Sequence, residues 1–364
     1  MQALKVSEAR LTSGLFKERE TINREYLMEL DNRALLQNFY LEAGILLPGL
    51  QQVPDPEDCY LHWGWEAPSC QLRGHFLGHW MSAAARLAVA NKDRELEAKL
   101  FTIVDELKVC QEANGGQWIG SIPEKYFKRL ENNEYIWSPQ YTLHKTLMGL
   151  LDVYEFTGYQ VALEMLDNAS EWYVNWVDSL KDKPCVVVKG EAGGMLEIWA
   201  RLYGITKKEK YLKLAKAYSI YHDFELLAEG KDALTDNHAN ASIPEAHGAA
   251  CMYEVTGDEK WLKLTLEFWK QAVKDTKSVS QPRQMRIALL PSIRALTAPS
   301  EVSRSALLAA TSLPFSRMMP IALLKSPSAS SRAFLQSIIP AEVILRNFIT
   351  SAAVIAIIFI FLTV

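Results

Sequence analysis

Three segments of the chain repeat one another at nearly constant spacing, and this periodicity restricts the fold more than any other feature. LLDVYEFTGYQVALEMLDNASEWY, IWARLYGITKKEKYLKLAKAYSIY and AACMYEVTGDEKWLKLTLEFWKQAV align on Tyr154, Tyr203 and Tyr253, which stand 49 and 50 residues apart. Each copy holds an apolar helix ending near Thr-Gly or Thr-Lys, then a second helix with apolar residues at i, i+3, i+4 and i+7, such as Tyr211, Leu214, Ala215 and Tyr218. A degenerate earlier copy runs from Met81 to Leu107. A helix, a short polar turn and a second helix cannot bury their apolar faces alone, so neighbouring hairpins must stack.

Stacked hairpins extend as an open solenoid or close into a ring of six whose inner helices surround a pocket. The loops decide between them. Pro54 to Arg73, Asn114 to Gln140 and Leu234 to Ser242, which precede inner helices, are long and rich in Gly, His and Trp, unlike the short uniform loops of a protein-binding solenoid. The expectation is an all-α body, nearly all helix over 32–276, with inner helices starting near Gly74, Tyr141, Gly193 and His238.

Composition excludes several classes. Lys+Arg 39 against Asp+Glu 43, in 364 residues, is the balance of an ordinary globular protein and not of a nucleic-acid binder. Met1 to Leu30 contains no apolar run of the length a secretory leader needs, which points to a cytoplasmic protein. Five cysteines, Cys59, Cys70, Cys110, Cys185 and Cys251, form an odd set without a CxxC pair, which fits reduced thiols and excludes a zinc ribbon. The last 88 residues differ sharply from the rest: they hold no Gly, Trp, Tyr, His, Cys or Asp and carry net +7, against −11 for the first 276.

Chemistry concentrates before the inner helices. HWGWEAPSCQLRGHFLGHW, His62 to Trp80, packs three Trp and three His into nineteen residues. Apolar rings stack on the C–H faces of sugars while imidazole and carboxylate edges bond hydroxyls, so the mixture suits a carbohydrate pocket as well as a packed helix start. His75 and His79 share a helix face, but Phe76 stands where a zincin needs Glu, which excludes a metalloprotease. NGGQWIGSIPE reads as a glycine-rich loop exposing Trp118, without the order of a phosphate cradle. His144 opens one inner helix, His238 and Asn240 open another, and Glu197 lies one turn beyond Gly193 and Gly194, placed either to bond hydroxyls or to cap its helix.

Four blocks, GHFLGHWMSAAARLA, YTLHKTLMGLLDVYEFTG, GGMLEIWARLYGITKKEKYL and HANASIPEAHGAACMYEVTGD, in this order, resemble glycoside hydrolase family 127, the β-L-arabinofuranosidases, over roughly Asn32 to Asp275. The resemblance implies an incomplete (α/α)6 toroid, normally followed by β-sandwich domains, acting as a retaining exo-glycosidase on terminal L-arabinofuranose. His75, His79, Trp118, His144, Glu197, His238 and Asn240 are the expected substrate-binding residues. The family's catalytic apparatus is a zinc held by one Glu and three Cys, one of them the nucleophile, with a further Glu as acid/base, all after the HAN block. Here no Cys follows Cys251. A zinc-activated thiolate cannot be assembled without clustered Cys, so no catalytic or metal-binding residue is assigned, and the chain is expected to lack zinc and to be inactive as written.

The expected organisation is an N-terminal lead at 1–31, a truncated catalytic domain at 32–276, a Ser-, Pro- and Arg-rich tail at 277–346 and an apolar segment at 347–364. Prolines at 282, 291, 299, 314, 320, 327 and 340 prevent the tail from continuing the hairpins. Its composition reads as a shifted reading frame or broken gene end. Alternatively, the uncharged Asn347 to Val364, about 27 Å long as a helix, is a tail anchor and the only route to a membrane. Two other functions stay open: a helical scaffold that binds a protein on its concave face, and a membrane-anchored sugar-binding pseudoenzyme.

Overall fold

The structure is a computed structural model that describes residues 6–8, 10–46 and 61–274. Among them the chain forms twelve α-helices and no strand. They are α1 (Leu15–Glu29), α2 (Asn32–Glu42), α3 (His75–Asn91), α4 (Arg94–Ala113), α5 (Lys125–Glu131), α6 (Pro139–Thr157), α7 (Gln160–Ser179), α8 (Met195–Thr206), α9 (Glu209–Ala217), α10 (His222–Ala228), α11 (Ala239–Thr256) and α12 (Glu259–Trp269). The tail at 277–346 and the apolar segment at 347–364 lie outside the described residues, within which no helix is long and apolar enough to cross a membrane.

The repeat is a capping device. Gly158, Lys207 and Gly257, again 49 and 50 apart, take φ of 75°, 57° and 70°. Their N–H groups donate to the carbonyls of the three repeat tyrosines, Tyr154, Tyr203 and Tyr253, at 2.8 to 2.9 Å. This is the left-handed C-terminal cap that ends a helix. The preceding Thr157, Thr206 and Thr256 each donate to the carbonyl four residues back, at 2.6 to 2.7 Å. Each then accepts the N–H two residues on, which turns the chain into the outer helix. The Thr-Gly and Thr-Lys signature is thus a polar turn satisfied within itself.

Four hairpins stack side by side in two layers. The inner helices α3, α6, α8 and α11 pack each on the next, while the outer helices α4, α7 and α9 do the same behind them. Burial separates the layers. In α6, fourteen of nineteen residues are buried, whereas α9 buries only the stripe Tyr211, Leu214 and Ala215. The result is four of the six inner helices that a closed toroid contains. The segment ahead of residue 32 holds α1, which docks on α3 and α4. Trp80 donates from Nε1 to the Leu27 carbonyl at 3.1 Å, and Arg24 pairs with Asp93 at 2.6 Å.

Inner-helix starts fall close to their expected places. Gly74 precedes α3 and His238 precedes α11 as the N-cap residues. α6 begins two residues before Tyr141 at Pro139, whose fixed φ suits a first helical position. A single 3-10 turn, Ala192–Gly194, leads into α8.

Candidate functional site

The starts of the inner helices lie against one another, since a Cβ on Gly78 would meet Lys145, one on Gly194 would meet His144 and one on Gly193 would meet the Ala241 carbonyl, so their N-termini share one end. The loop before α3 is pinned there by buried amides and a carboxylate. Gln37 donates to the carbonyls of His62 and Glu66 at 2.8 and 2.9 Å and accepts from the His62 N–H at 2.8 Å. Glu66 accepts from the N–H groups of Gly74 and Phe76 at 2.6 and 3.0 Å. A carboxylate at this place satisfies otherwise unpaired donors and suits the positive end of the helix. The same side chain lies 2.7 Å from His75 Nδ1.

Histidines from two helices meet beside this anchor. The rings of His75 and His79 are 6.1 Å apart, and His75 lies 6.2 Å from Tyr141 on α6. Desolvation, with Lys145, His75 and His144 nearby, pushes the half-buried His79 well below the ordinary imidazole range. Desolvation and Lys145 do the same to the buried His144. Both rings are therefore neutral and hold one nitrogen without a hydrogen-bond partner, Nδ1 of His79 and Nε2 of His144. His144 packs against the start of α8 so closely that a Cβ on Gly194 would sit 2.4 Å from its Nε2.

Lys145 follows His144 into the same space. It is buried, makes no ion pair among the described residues, and rests its ammonium 4.3 Å from the centre of the Tyr141 ring. Burial lowers its pKa to about 8, and burial likewise pushes the Tyr141 hydroxyl up to about 12, with Asn240 bonding that hydroxyl from α11.

Deeper along the inner helices lies a charged chain that the sequence reading did not single out. Asp152 on α6 is fully buried and takes Arg86 from α3 at 3.1 Å, Arg201 from α8 at 2.7 Å, and Ser82. Arg201 also pairs with Glu155, and with Glu197 at 2.9 Å. Glu197 then holds His247 Nδ1 on α11 at 2.9 Å, and His247 Nε2 lies 4.0 Å from Cys251 Sγ. Burial by itself would raise the Glu197 carboxyl, but His247 and Arg201 outweigh it and hold the group well below the usual carboxylate range. Burial likewise opposes charge on His247, and Glu197 overcomes it, raising that imidazole well above its ordinary value.

The structure therefore gathers five expected residues, His75, His79, His144, Glu197 and Asn240, at or below one end of the inner layer. His238 stands at the same end as the exposed N-cap residue of α11, and Trp118 alone of the expected residues lies elsewhere. The loop does not expose Trp118: the indole is 6% accessible, 4.8 Å from Trp172 and 5.8 Å from Phe127. A large apolar ring gains more from closing the gap between α5 and α7 than from standing in water. Cys251 lies one turn from His247 on α11, with Glu197 of α8 on the far side of that imidazole, and burial raises the thiol's pKa. Residues missed in the sequence are Trp65, Trp137, Tyr141, Lys145, Asp152, Arg201 and His247. Position could have flagged Lys145 and Tyr141, which adjoin His144 at an inner-helix start.

Among the described residues no three His, Cys, Asp or Glu gather as metal ligands, and Cys70, Cys110, Cys185 and Cys251 stand apart as free thiols. The residues present do not fit the zinc that the resemblance implies for the full-length family, and no chemical step is derived through it.

Comparison with known proteins bears on the same region. A family model described as β-L-arabinofuranosidase, GH127 catalytic domain, matches residues 8–279. A solved structure of a GH127 β-L-arabinofuranosidase from Geobacillus stearothermophilus T6 is similar at 17% identity and a TM-score of 0.49, over 73% of this chain and 45% of that one. The chain thus spans less than half the length of that protein. No curated protein sequence matches.

Proposed function

Because this chain belongs to the GH127 β-L-arabinofuranosidase catalytic-domain family, we propose that its hairpin body binds the terminal L-arabinofuranose of a glycan at the shared N-terminal end of α3, α6, α8 and α11. The observation that carries this reading is the meeting of His75, His79 and His144 with Tyr141 and Lys145. Two neutral imidazoles whose nitrogens have no partner among the described residues, and the Lys145 ammonium on the Tyr141 face, are hydrogen-bonding groups that a sugar's hydroxyls would satisfy. Glu197 is not a free acceptor, since Arg201 and His247 occupy it, so its role is to hold the inner helices in register.

The chain as written binds without hydrolysing. A covalent nucleophile is not replaced by binding groups, because catalysis by binding alone falls orders of magnitude short. What supports glycan binding over a protein-docking scaffold is the charged character of the inner layer, from Arg86 through Asp152 to His247.

Titration calorimetry with methyl β-L-arabinofuranoside tests the reading. Binding is expected, and His144→Ala should weaken it by about 1 to 3 kcal/mol, the cost of leaving a buried polar group unpaired. No turnover of an aryl β-L-arabinofuranoside is expected with added zinc. Turnover abolished by replacing one of the five cysteines with Ser would overturn the inactivity.

A further inference from the structure

Two tryptophans stand exposed at the mouth of the candidate site, on backbone that is firmly held. Trp65 is 63% accessible and Trp137 is 39% accessible, and their rings meet edge to face at 6.5 Å. Trp65 belongs to the 3-10 turn Gly64–Glu66, which Gln37, Asn38 and Glu66 pin to α2 and α3. The N–H of Trp137 donates to Gln71 Oε1 at 2.7 Å. The next residue, Ser138, is buried with φ 44°, a left-handed conformation that a non-glycine residue adopts only under strain. Both indoles are therefore presented outward by ordered, partly strained backbone.

The pair continues into the site. Trp65 lies 6.1 Å from His75, which lies 6.1 Å from His79 and 6.2 Å from Tyr141. Aromatic rings thus run from solvent to Lys145, the buried ammonium on the Tyr141 face. Apolar faces that end beside hydrogen-bonding imidazoles suit a ligand with C–H faces and hydroxyl edges.

We propose that Trp65 and Trp137 form a subsite for the sugar next to the terminal one, so that this chain recognises an oligosaccharide end and not a lone monosaccharide. The proposal rests on the binding of a terminal sugar at His75, His79 and His144. That sugar's outward-facing glycosidic oxygen would direct the next ring onto the indoles, where stacking adds affinity without new charge.

The test compares methyl β-L-arabinofuranoside with a disaccharide carrying the same terminal sugar, by calorimetry on the full chain. The expected result is about tenfold tighter binding of the disaccharide. Trp65→Ala and Trp137→Ala should each bring the ratio of the two affinities towards one, while Trp65→Phe, which keeps an aromatic face, retains most of it. Trp63→Ala, on the same loop and 67% exposed, should leave the ratio unchanged. His144→Ala should weaken both ligands together and preserve the ratio. Equal affinities in the wild-type chain, or a ratio that survives both alanine variants, overturns the subsite while leaving terminal-sugar binding intact. Failure of the wild-type chain to bind either ligand overturns the underlying reading and the subsite with it.

Discussion

Asp152 has no solvent contact and holds two guanidinium groups, Arg86 and Arg201, as well as the Ser82 hydroxyl. In sequence it is one acid in an apolar helix, LLDVYEF, with nothing to show that cations from two other helices converge on it. Asp152→Ala would remove the buried carboxylate that Arg86 and Arg201 share, and breaking a buried pair by removing one partner costs about 3 to 5 kcal/mol. Denaturant unfolding should show a loss of this size; a change below about 1 kcal/mol would mean that water or Glu155 replaces the carboxylate. His144 and His79 show the limit at the same scale. Their positions at helix starts were legible, but their neutrality follows from desolvation and from Lys145, which only the packed neighbours provide.

At the scale of elements, α3 and α6 cross at contact distance because neither presents a side chain there. A Cβ on Gly78 would lie 1.8 Å from the Lys145 carbonyl oxygen, and one on Gly149 would lie 2.7 Å from the Gly78 carbonyl oxygen. Since backbone and not a flexible side chain fills the space, the helices must separate to admit a methyl group. Gly78→Ala, despite its gain in helix propensity, should destabilise by about 1 to 3 kcal/mol or more and displace Lys145 and His144. Denaturation together with sugar binding checks both parts, and a variant as stable as wild type would show that the crossing is looser. The hairpins themselves were readable, because a Thr followed by Gly or Lys caps its own helix through bonds spanning four residues.

For the whole molecule, the titrating groups of the inner layer set a pH preference. His79 and His144 bind protons less readily folded than unfolded, chiefly through desolvation, with Lys145 opposing charge on both, His75 and His144 on His79, and Arg201 and His247 on His144, where Glu197 favours it. Their stabilisation is complete above the unfolded imidazole value of about 6.5 and declines as pH falls below it, since the unfolded chain takes up more protons. His247 has the opposite sign: its raised value, held by Glu197, stabilises below about 6.5 and is lost as pH rises through the folded value. Glu245 on α11, whose carboxyl burial raises to about 9, sides with His247 because it keeps its proton when folded. Two groups thus oppose two near pH 6.5, and unfolding free energy should fall only as the pH approaches 5, where each proton the unfolded chain takes up in excess steepens the slope by up to about 1.4 kcal/mol per pH unit. Thermal or urea unfolding across that range should show the decline. The double variant His79→Gln, His144→Gln should flatten it, and an unchanged slope would assign the acid sensitivity elsewhere.

The sequence by itself determined the hairpins, their turns, the order of inner and outer helices and the end at which the histidines gather. These follow from periodicity and capping, which act within one helical turn or one repeat. Only the tertiary structure decided which polar groups meet. It turned Trp118 inward against Trp172 and left Trp65 and Trp137 in water, although all three are tryptophans in Gly- or Ser-containing loops. It joined Arg86, Asp152, Arg201, Glu197 and His247 across four helices, from positions as much as 161 residues apart in the chain. The burial of a side chain and the partner of a charge depend on what packs from other repeats, and a local pattern does not encode that distance.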